Sequence, residues 1–290
     1  MVTRYTRLLY KCIILFAFVL YGSTFDTKAQ DATPRFLNCD SITNNFYSCD
    51  TISTDSTTIK YMGCDVTIYY ILRVCNYGTM TVRHIEMQRF EIEETSPPCG
   101  LISHLYNSSP APNGSINEVN LRNVIMALYE NLSDSLNLPI LRNIAQNNLQ
   151  EFFSYDCDSL GLPKHGVANF QAYEGTCMAY CAIKYQVQQF SGPQQYKIRW
   201  SFGWNKCANT CCVTYIYYCW DFSAAPPAWR RTTLQGPTGV SGNGDDCNQY
   251  NPTESCQSPY IGDPRYQVLN IYAGTCKNTC SDLQKYELVY

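Results

Sequence analysis

Sixteen of the 17 cysteines in this 290-residue chain follow a short apolar segment near the N-terminus, which limits what the chain can become more than any other feature. Thiols in such number need an oxidising compartment, so the chain reads as one that leaves the cytoplasm and is stapled by disulfides. They are Cys39, Cys49, Cys64, Cys75, Cys99, Cys157, Cys177, Cys181, Cys207, Cys211, Cys212, Cys219, Cys247, Cys256, Cys276 and Cys280. Their even number allows complete pairing, and spacing alone leaves the connectivity open. A bridge closing a loop of about 15 residues stabilises a fold by about 3 kcal/mol, so a few of them rival the net stability of an ordinary domain. Cys177/Cys181, Cys207/Cys211 and Cys276/Cys280 share a C-x3-C spacing that some zinc sites also use. Export and the scarcity of histidine favour structural bridges, with no metal and no cofactor expected. Each such pair could close on itself over a helical turn or clamp neighbouring strands.

The leader has three parts. Arg4, Arg7 and Lys11 precede an apolar run over residues 12–21, and Thr27-Lys28-Ala29 ends in a small residue suited to cleavage before Gln30. Such a run rises about 15 Å as a helix, about half a bilayer core, so residues 1–29 are expected to be a signal peptide and not a permanent membrane span. The expected location is secreted or at the cell envelope. Without the leader, 17 basic residues face 23 acidic ones, a net charge of −6, and such a chain does not attract nucleic acid by its field. Sequons at Asn107, Asn113 and Asn131 would carry glycans only where the host modifies such sites.

Few charges and 24 tyrosines suit strands with aromatic cross-strand pairs better than solvated helices. Residues 65–74 alternate, with Val66, Ile68, Tyr70, Leu72 and Val74 on one face and a partly apolar second face carrying Tyr69 and Ile71. Residues 80–93 return as a second strand whose apolar parity shifts between Met87 and Phe90, the mark of a bulge. Residues 181–188 and 196–204 alternate cleanly around Ser191-Gly192-Pro193, and further strands are expected over 212–220 and 266–272. Between the two β-rich parts, Ser115 and Glu118 stand in capping-box spacing before Leu121, Val124, Ile125 and Leu128, and Pro139 is placed to open a second short helix. Residues 31–57 read as loops and short edge strands, and residues 222–262, rich in Pro and Gly, as long loops held by Cys247 and Cys256. The expected fold is mainly β, built of disulfide-stapled antiparallel sheets with an inserted helical hairpin. Its organisation is a signal peptide (1–29), a small β-region (30–102), a loop and helical hairpin (103–156) and a larger cysteine-rich β-domain (157–290).

Some segments echo one another. Tyr173-Glu174-Gly175-Thr176-Cys177 is matched by Tyr272-Ala273-Gly274-Thr275-Cys276, and Cys207-Ala208-Asn209-Thr210-Cys211 repeats the cysteine spacing. The helix, then Gly-Thr-Cys, then Asn-Thr-Cys-Cys and an aromatic strand, over roughly residues 115–220, together with Lys28-Ala29-Gln30, resembles a loose group of cysteine-rich exported proteins of Bacteroidota-like bacteria. The resemblance implies an envelope or exterior location and carries over no functional residue.

Catalytic patterns are scarce. His84, His104 and His165 have no metal-ligand spacing, and Gly239-Val240-Ser241-Gly242-Asn243 lacks the last glycine of a nucleophile elbow. Glu91, Glu93, Glu94, Asp156, Asp158, Asp245 and Asp246 are the carboxylates that could form a glycosidase pair, and the two Asp pairs a weak calcium site. All four tryptophans fall between residues 200 and 229. Trp200 and Trp204 share the apolar parity of their strand. Trp220 and Trp229, with Arg230 and Arg231, are the candidate binding residues, because aromatic rings stack on sugars or peptides. The expectation is a non-enzymatic protein that binds a surface polymer, glycan or protein, adheres, or assembles with itself; a secreted carboxylate-dependent hydrolase is the alternative.

Overall fold

The computed structural model describes residues 48–77, 80–94, 99–106, 116–148, 155–158, 170–175, 177–188, 196–206, 211–237, 260, 262–274, 276–278 and 283–289. The leader, Cys39, Cys207, Cys247, Cys256, Cys280, His165, Asp245, Asp246, the sequons at Asn107 and Asn113 and the Gly239–Asn243 stretch lie outside them.

Among the described residues eleven strands join in one sheet. Strands β1 (Ser48–Tyr61), β2 (Cys64–Tyr77) and β3 (Met80–Glu93) form an antiparallel meander, with β1 turning into β2 through Met62 and Gly63 at positive φ. The expected bulge is present. Tyr69 stands opposite Arg89 and Tyr70 opposite Met87, so Gln88 is the extra residue. That bulge marks a fork. Before it, Arg83, His84 and Ile85 pair in parallel with β4 (Phe170–Gly175); after it, residues from Arg89 to Glu93 pair antiparallel with β6 (Tyr196–Lys206). One branch continues through β7 (Cys211–Asp221) and β8 (Ala228–Pro237) to β11 (Leu283–Val289). The other runs from β6 to β5 (Cys177–Gln188), whose far edge carries β9 (Tyr266–Ala273) and the short β10 (Lys277–Asn278). The strand regions on either side of the helical insertion therefore share one sheet.

Helix α1 (Gly100–Leu105) and helix α2 (Glu118–Asn147) are the inserted pair. The break between them differs from the sequence expectation. Asn117, not Ser115, is the N-cap of α2, its side chain accepting from Asn120 N–H (3.0 Å). The helix then runs through Pro139, which is exposed, while Leu138 and Leu141 on either side are buried. Packing of that stripe offsets the hydrogen bond that a proline removes.

The interior is built where α2 crosses the fork. Leu121, Val124, Ile125, Leu128, Tyr129 and Leu132 meet Val66, Ile68, Ile85, Met87, Phe90, Ile92, Trp200, Phe202, Ile216 and Tyr218 in one buried cluster, and Phe90 stacks on Phe202 at 4.9 Å. At the bulge, Met87 N–H donates to Tyr129 Oη (3.0 Å), so the helix supplies a partner where the ladder is interrupted. Tyr272 of β9 donates to Glu118 Oε1 (3.0 Å), fastening the other branch to the start of α2. Burial and the Glu118 carboxylate push the Tyr272 hydroxyl up to about 12.

Disulfides tie the ends of this arrangement. Cys64–Cys99 joins β2 to the N-cap of α1, and Cys157–Cys219 joins the 155–158 segment to β7. Cys75, Cys177, Cys181 and Cys276 are also disulfide-bonded, and Cys49 lies opposite Cys75 in the β1–β2 register. Cys177 and Cys181 sit four residues apart on one extended strand, about 13 Å from one another, so this C-x3-C pair does not close on itself. Two further sequence expectations change. Residues 48–61 form a 14-residue strand in place of loops and short strands, and Ala228–Pro237 is a strand inside the segment read as loop. Among the described residues no helix is long and apolar enough to cross a membrane.

Candidate functional site

The four residues singled out for binding separate by the alternation of β8. Trp229 is buried, packed edge-on against Trp220 (5.4 Å) and Tyr155 (6.0 Å). Arg231 is on the same face and also buried, paired with Glu130 (3.1 Å) and Asp134 of α2. Arg230 turns the other way and pairs with Asp221, which also accepts from Ser223 N–H (2.8 Å) and lies below the usual carboxylate range because of the Ser223 hydroxyl and the nearby arginine. Trp220 is half-buried against Phe222, whose ring is exposed at the tip of the β7–β8 hairpin. Trp220, Phe222 and Arg230 thus reach the surface, whereas Trp229 and Arg231 hold the interior together.

The opposite face of the sheet carries a cluster that the sequence reading did not assemble. Its centre is Glu91, a carboxylate only 3% exposed. Tyr260 donates to Glu91 Oε1 (2.8 Å), Tyr69 donates to Oε2 (3.3 Å), and Arg89 Nε bonds Oε1 (3.3 Å), with Arg199 NH1 at 4.0 Å. The Arg89 guanidinium also lies over the Tyr69 ring at 3.9 Å, a cation–π contact. Tyr260 stacks on Tyr266 with centroids 3.9 Å apart and planes 4° from parallel, and Tyr185 packs beneath both at 5.4 and 5.6 Å. Burial first, and then the Glu91 charge, raises the pKa of Tyr69, Tyr185 and Tyr260, so these hydroxyls keep their protons at any physiological pH.

Strand register explains why these groups meet. Tyr69 and Arg89 are cross-strand partners, and Glu91 faces Ser201 in β6. Tyr185 stands opposite Val268, and Ile183 opposite Ile271, so β9 extends the same face. Val268, Leu269 and Ile271 are 41%, 44% and 49% exposed, which adds an apolar strip beside the tyrosines. Arg265 closes the other side, 5.6 Å from the Tyr266 ring and bonded through Nε to Asp263 at 2.8 Å. The available signal in the sequence was the second face of residues 65–74 and the Arg89, Glu91, Glu93 alternation, which announced polar partners without saying whose.

Of the carboxylates considered for catalysis, Glu91, Glu93 and Glu94 are engaged by cations or by tyrosine and indole donors. Glu93 pairs with Lys197 (2.5 Å) and Arg199 (3.4 Å), and Glu94 with Lys184 (2.9 Å) and the Trp200 indole N–H (3.0 Å). Asp156 forms a parallel bridge with Trp220. Among the described residues no group of three or more His, Cys, Asp or Glu could hold a metal ion.

Farther along the same face, His84, Arg73 and Glu86 are buried together, with Arg73 and Glu86 at 3.8 Å. Burial, aided by the Arg73 charge, lowers the His84 imidazole from 6.5 to about 4. As pH falls through that window, the unfolded chain takes up a proton that the folded protein refuses, so stability present above pH 6.5 is lost towards pH 4. The loss is about 3 kcal/mol. Urea midpoints at pH 7 and pH 4.5 should show it, and His84→Gln should remove most of the difference.

Fold and sites together define a disulfide-held, mainly antiparallel β protein with a helix laid over one face and an aromatic, arginine-bearing surface on the other. Its bridges suggest a location outside the reducing cytoplasm. The chain matches no protein-family model, no curated protein and no solved structure.

Proposed function

We propose that this chain is an exported binding or adhesion protein of the cell envelope or exterior, and that the tyrosine face around Glu91 is where it meets a surface polymer, glycan or protein. The observation that carries this reading is the buried Glu91 carboxylate gathering Tyr69, Tyr260 and Arg89. Tyrosine and arginine supply most binding energy at recognition surfaces, and rings held by a fixed anchor lose little entropy when a partner arrives. The apolar strip of Val268 and Ile271 gives such a partner something to cover. The alternative, a secreted carboxylate-dependent hydrolase, requires a carboxylic acid free to give up and retake a proton. The arginine and lysine partners of Glu91, Glu93 and Glu94 favour anchoring over proton transfer.

A glycan and surface-polymer array, run with the mature protein and repeated with outer-membrane or matrix proteins, tests the proposal. Tyr266→Ala and Arg89→Ala should each weaken whatever is bound about tenfold or more. Trp220→Ala reports on the hairpin tip in the same array. Binding that ignores the first two variants and is lost with the third would move the site to the tip. Turnover of a polysaccharide in that array, abolished by Glu91→Gln, would replace the proposal with the hydrolase.

A further inference from the structure

The β7–β8 hairpin turns through residues 222–227, Phe222-Ser223-Ala224-Ala225-Pro226-Pro227, none of which carries a charge. Phe222 is 51% exposed, and Ala225, Pro226 and Pro227 are exposed with it. The adjoining Asp221 is buried beneath them. It pairs with Arg230 and accepts from both the backbone N–H (2.8 Å) and the hydroxyl of Ser223. The polar side chains at the end of the hairpin are thus spent on one another. Its backbone asks little of water too, since Pro226 and Pro227 have no N–H and that of Ser223 is bonded.

We infer that this tip is an anchor for a lipid surface, with Phe222 and the Ala-Pro turn entering the boundary between headgroups and acyl chains. Such a boundary penalises charges and unmatched backbone donors, and rewards apolar area withdrawn from water. Trp220 packs edge-on behind Phe222 at 6.5 Å, half-buried, where an indole suits the headgroup level. The base is firm: Trp220 also packs on Trp229 at 5.4 Å, and the neighbouring Cys219 is bridged to Cys157. A ring already held in place loses little freedom when it inserts.

A glycan would need hydroxyl-bonding side chains beside the ring, and Asp221 and Ser223 are already engaged. Other exposed apolar side chains suit lipid less well. Met62, Ile140 and Tyr196 stand within two residues of the charged Lys60, Arg142 and Lys197, and Val268, Leu269 and Ile271 alternate with Gln267 and Asn270 on β9. The whole chain is acidic, with a net charge of −3, so the attraction is apolar and not a pull of opposite charges.

Cosedimentation of the mature, disulfide-intact protein with phosphatidylcholine vesicles provides the test. The bound fraction should rise with lipid and hold from low salt to about 0.5 M salt, where surface electrostatics are screened. Phe222→Asp should weaken binding about tenfold or more, and so should Ala225→Asp, which adds a charge at an exposed site while leaving the Phe222 ring in place. Phe222→Trp should still bind, and bilayers brominated on the acyl chains should quench its emission more than that of the unmodified protein. No binding up to about 5 mM lipid, binding indifferent to both aspartate variants, or no added quenching with Phe222→Trp would each overturn the inference. Capture of a glycan or protein that Phe222→Asp abolishes, with vesicle binding unchanged, would overturn it as well and give the tip to that partner. Should Phe222→Asp fail to fold, Ala225→Asp and the quenching decide. Neither touches the tyrosine face, so a blank array with vesicle binding, or the reverse, are separable results.

Discussion

Removing the Cys157–Cys219 bridge, by exchanging both residues for alanine, lowers the unfolding free energy by about 4 kcal/mol. The bridge closes a loop of 62 residues, and a cross-link stabilises chiefly by denying the unfolded chain conformations that grow with loop length. The segment it holds also meets β7 through Cys157 N–H to Trp220 O at 3.2 Å and the Asp156–Trp220 bridge, and β8 through Tyr155 against Trp229. Cys64–Cys99, closing 35 residues, is worth a similar amount, about 4 kcal/mol. Losing both takes away about 8 kcal/mol, as much as the whole net stability of many domains. Urea titrations of the native protein, of each alanine pair and of the fully reduced chain measure these steps. An unshifted midpoint after loss of Cys157–Cys219 would remove the bridge from the account of stability.

Arg231→Met should cost about 3–5 kcal/mol at pH 7, because it strands two carboxylates in the interior. Arg231 is bonded to both Glu130 and Asp134, and Tyr218 adds hydrogen bonds to Ser133 Oγ and Asp134 Oδ1, each at 2.7 Å. Burial already holds the Asp134 carboxyl above its ordinary range despite Arg231 and Tyr218. A carboxyl raised in this way favours the folded state when protonated, and that contribution is lost as pH rises through its folded value. The penalty of the arginine loss should therefore shrink as pH falls from 7 towards 4, opposite in sense to the His84 effect. Combining Arg231→Met with Glu130→Leu and Asp134→Leu should recover most of the stability, since a well-packed apolar set often replaces a buried ion group at no cost. Failure of the triple variant to recover would mean that Tyr218 and Ser133 need the carboxylate more than the fold needs the charge balanced.

Parts of this fold were legible because one residue's neighbours announced its face. Val66, Ile68 and Tyr70, and likewise Trp200 and Phe202, alternate with polar residues and are buried as that alternation requires. The shifted parity at Met87 and Phe90 located the bulge at Gln88. β1 gave no such signal. Ser, Thr and Asp fill residues 53–58, most of them exposed, and the strand is held by its ladder to β2, not by a buried face. β8 was hidden for the opposite reason. Arg231, Thr232 and Thr233 look like loop residues, yet all three are buried, and the arginine is paired with the carboxylates of α2.

Composition and local pattern were enough to determine that this is an oxidised β protein with helices between its strand regions, because cysteine pairing chemistry and period-two burial act on neighbours in the chain. Which branch each strand joined, that Pro139 stays inside one helix, and that Glu91 collects Tyr69 from β2 and Tyr260 from beyond residue 237 were decided only in three dimensions. Those outcomes turn on contacts between residues as many as 169 positions apart, whose energies depend on what each group meets after burial and leave no periodic trace in the order of residues.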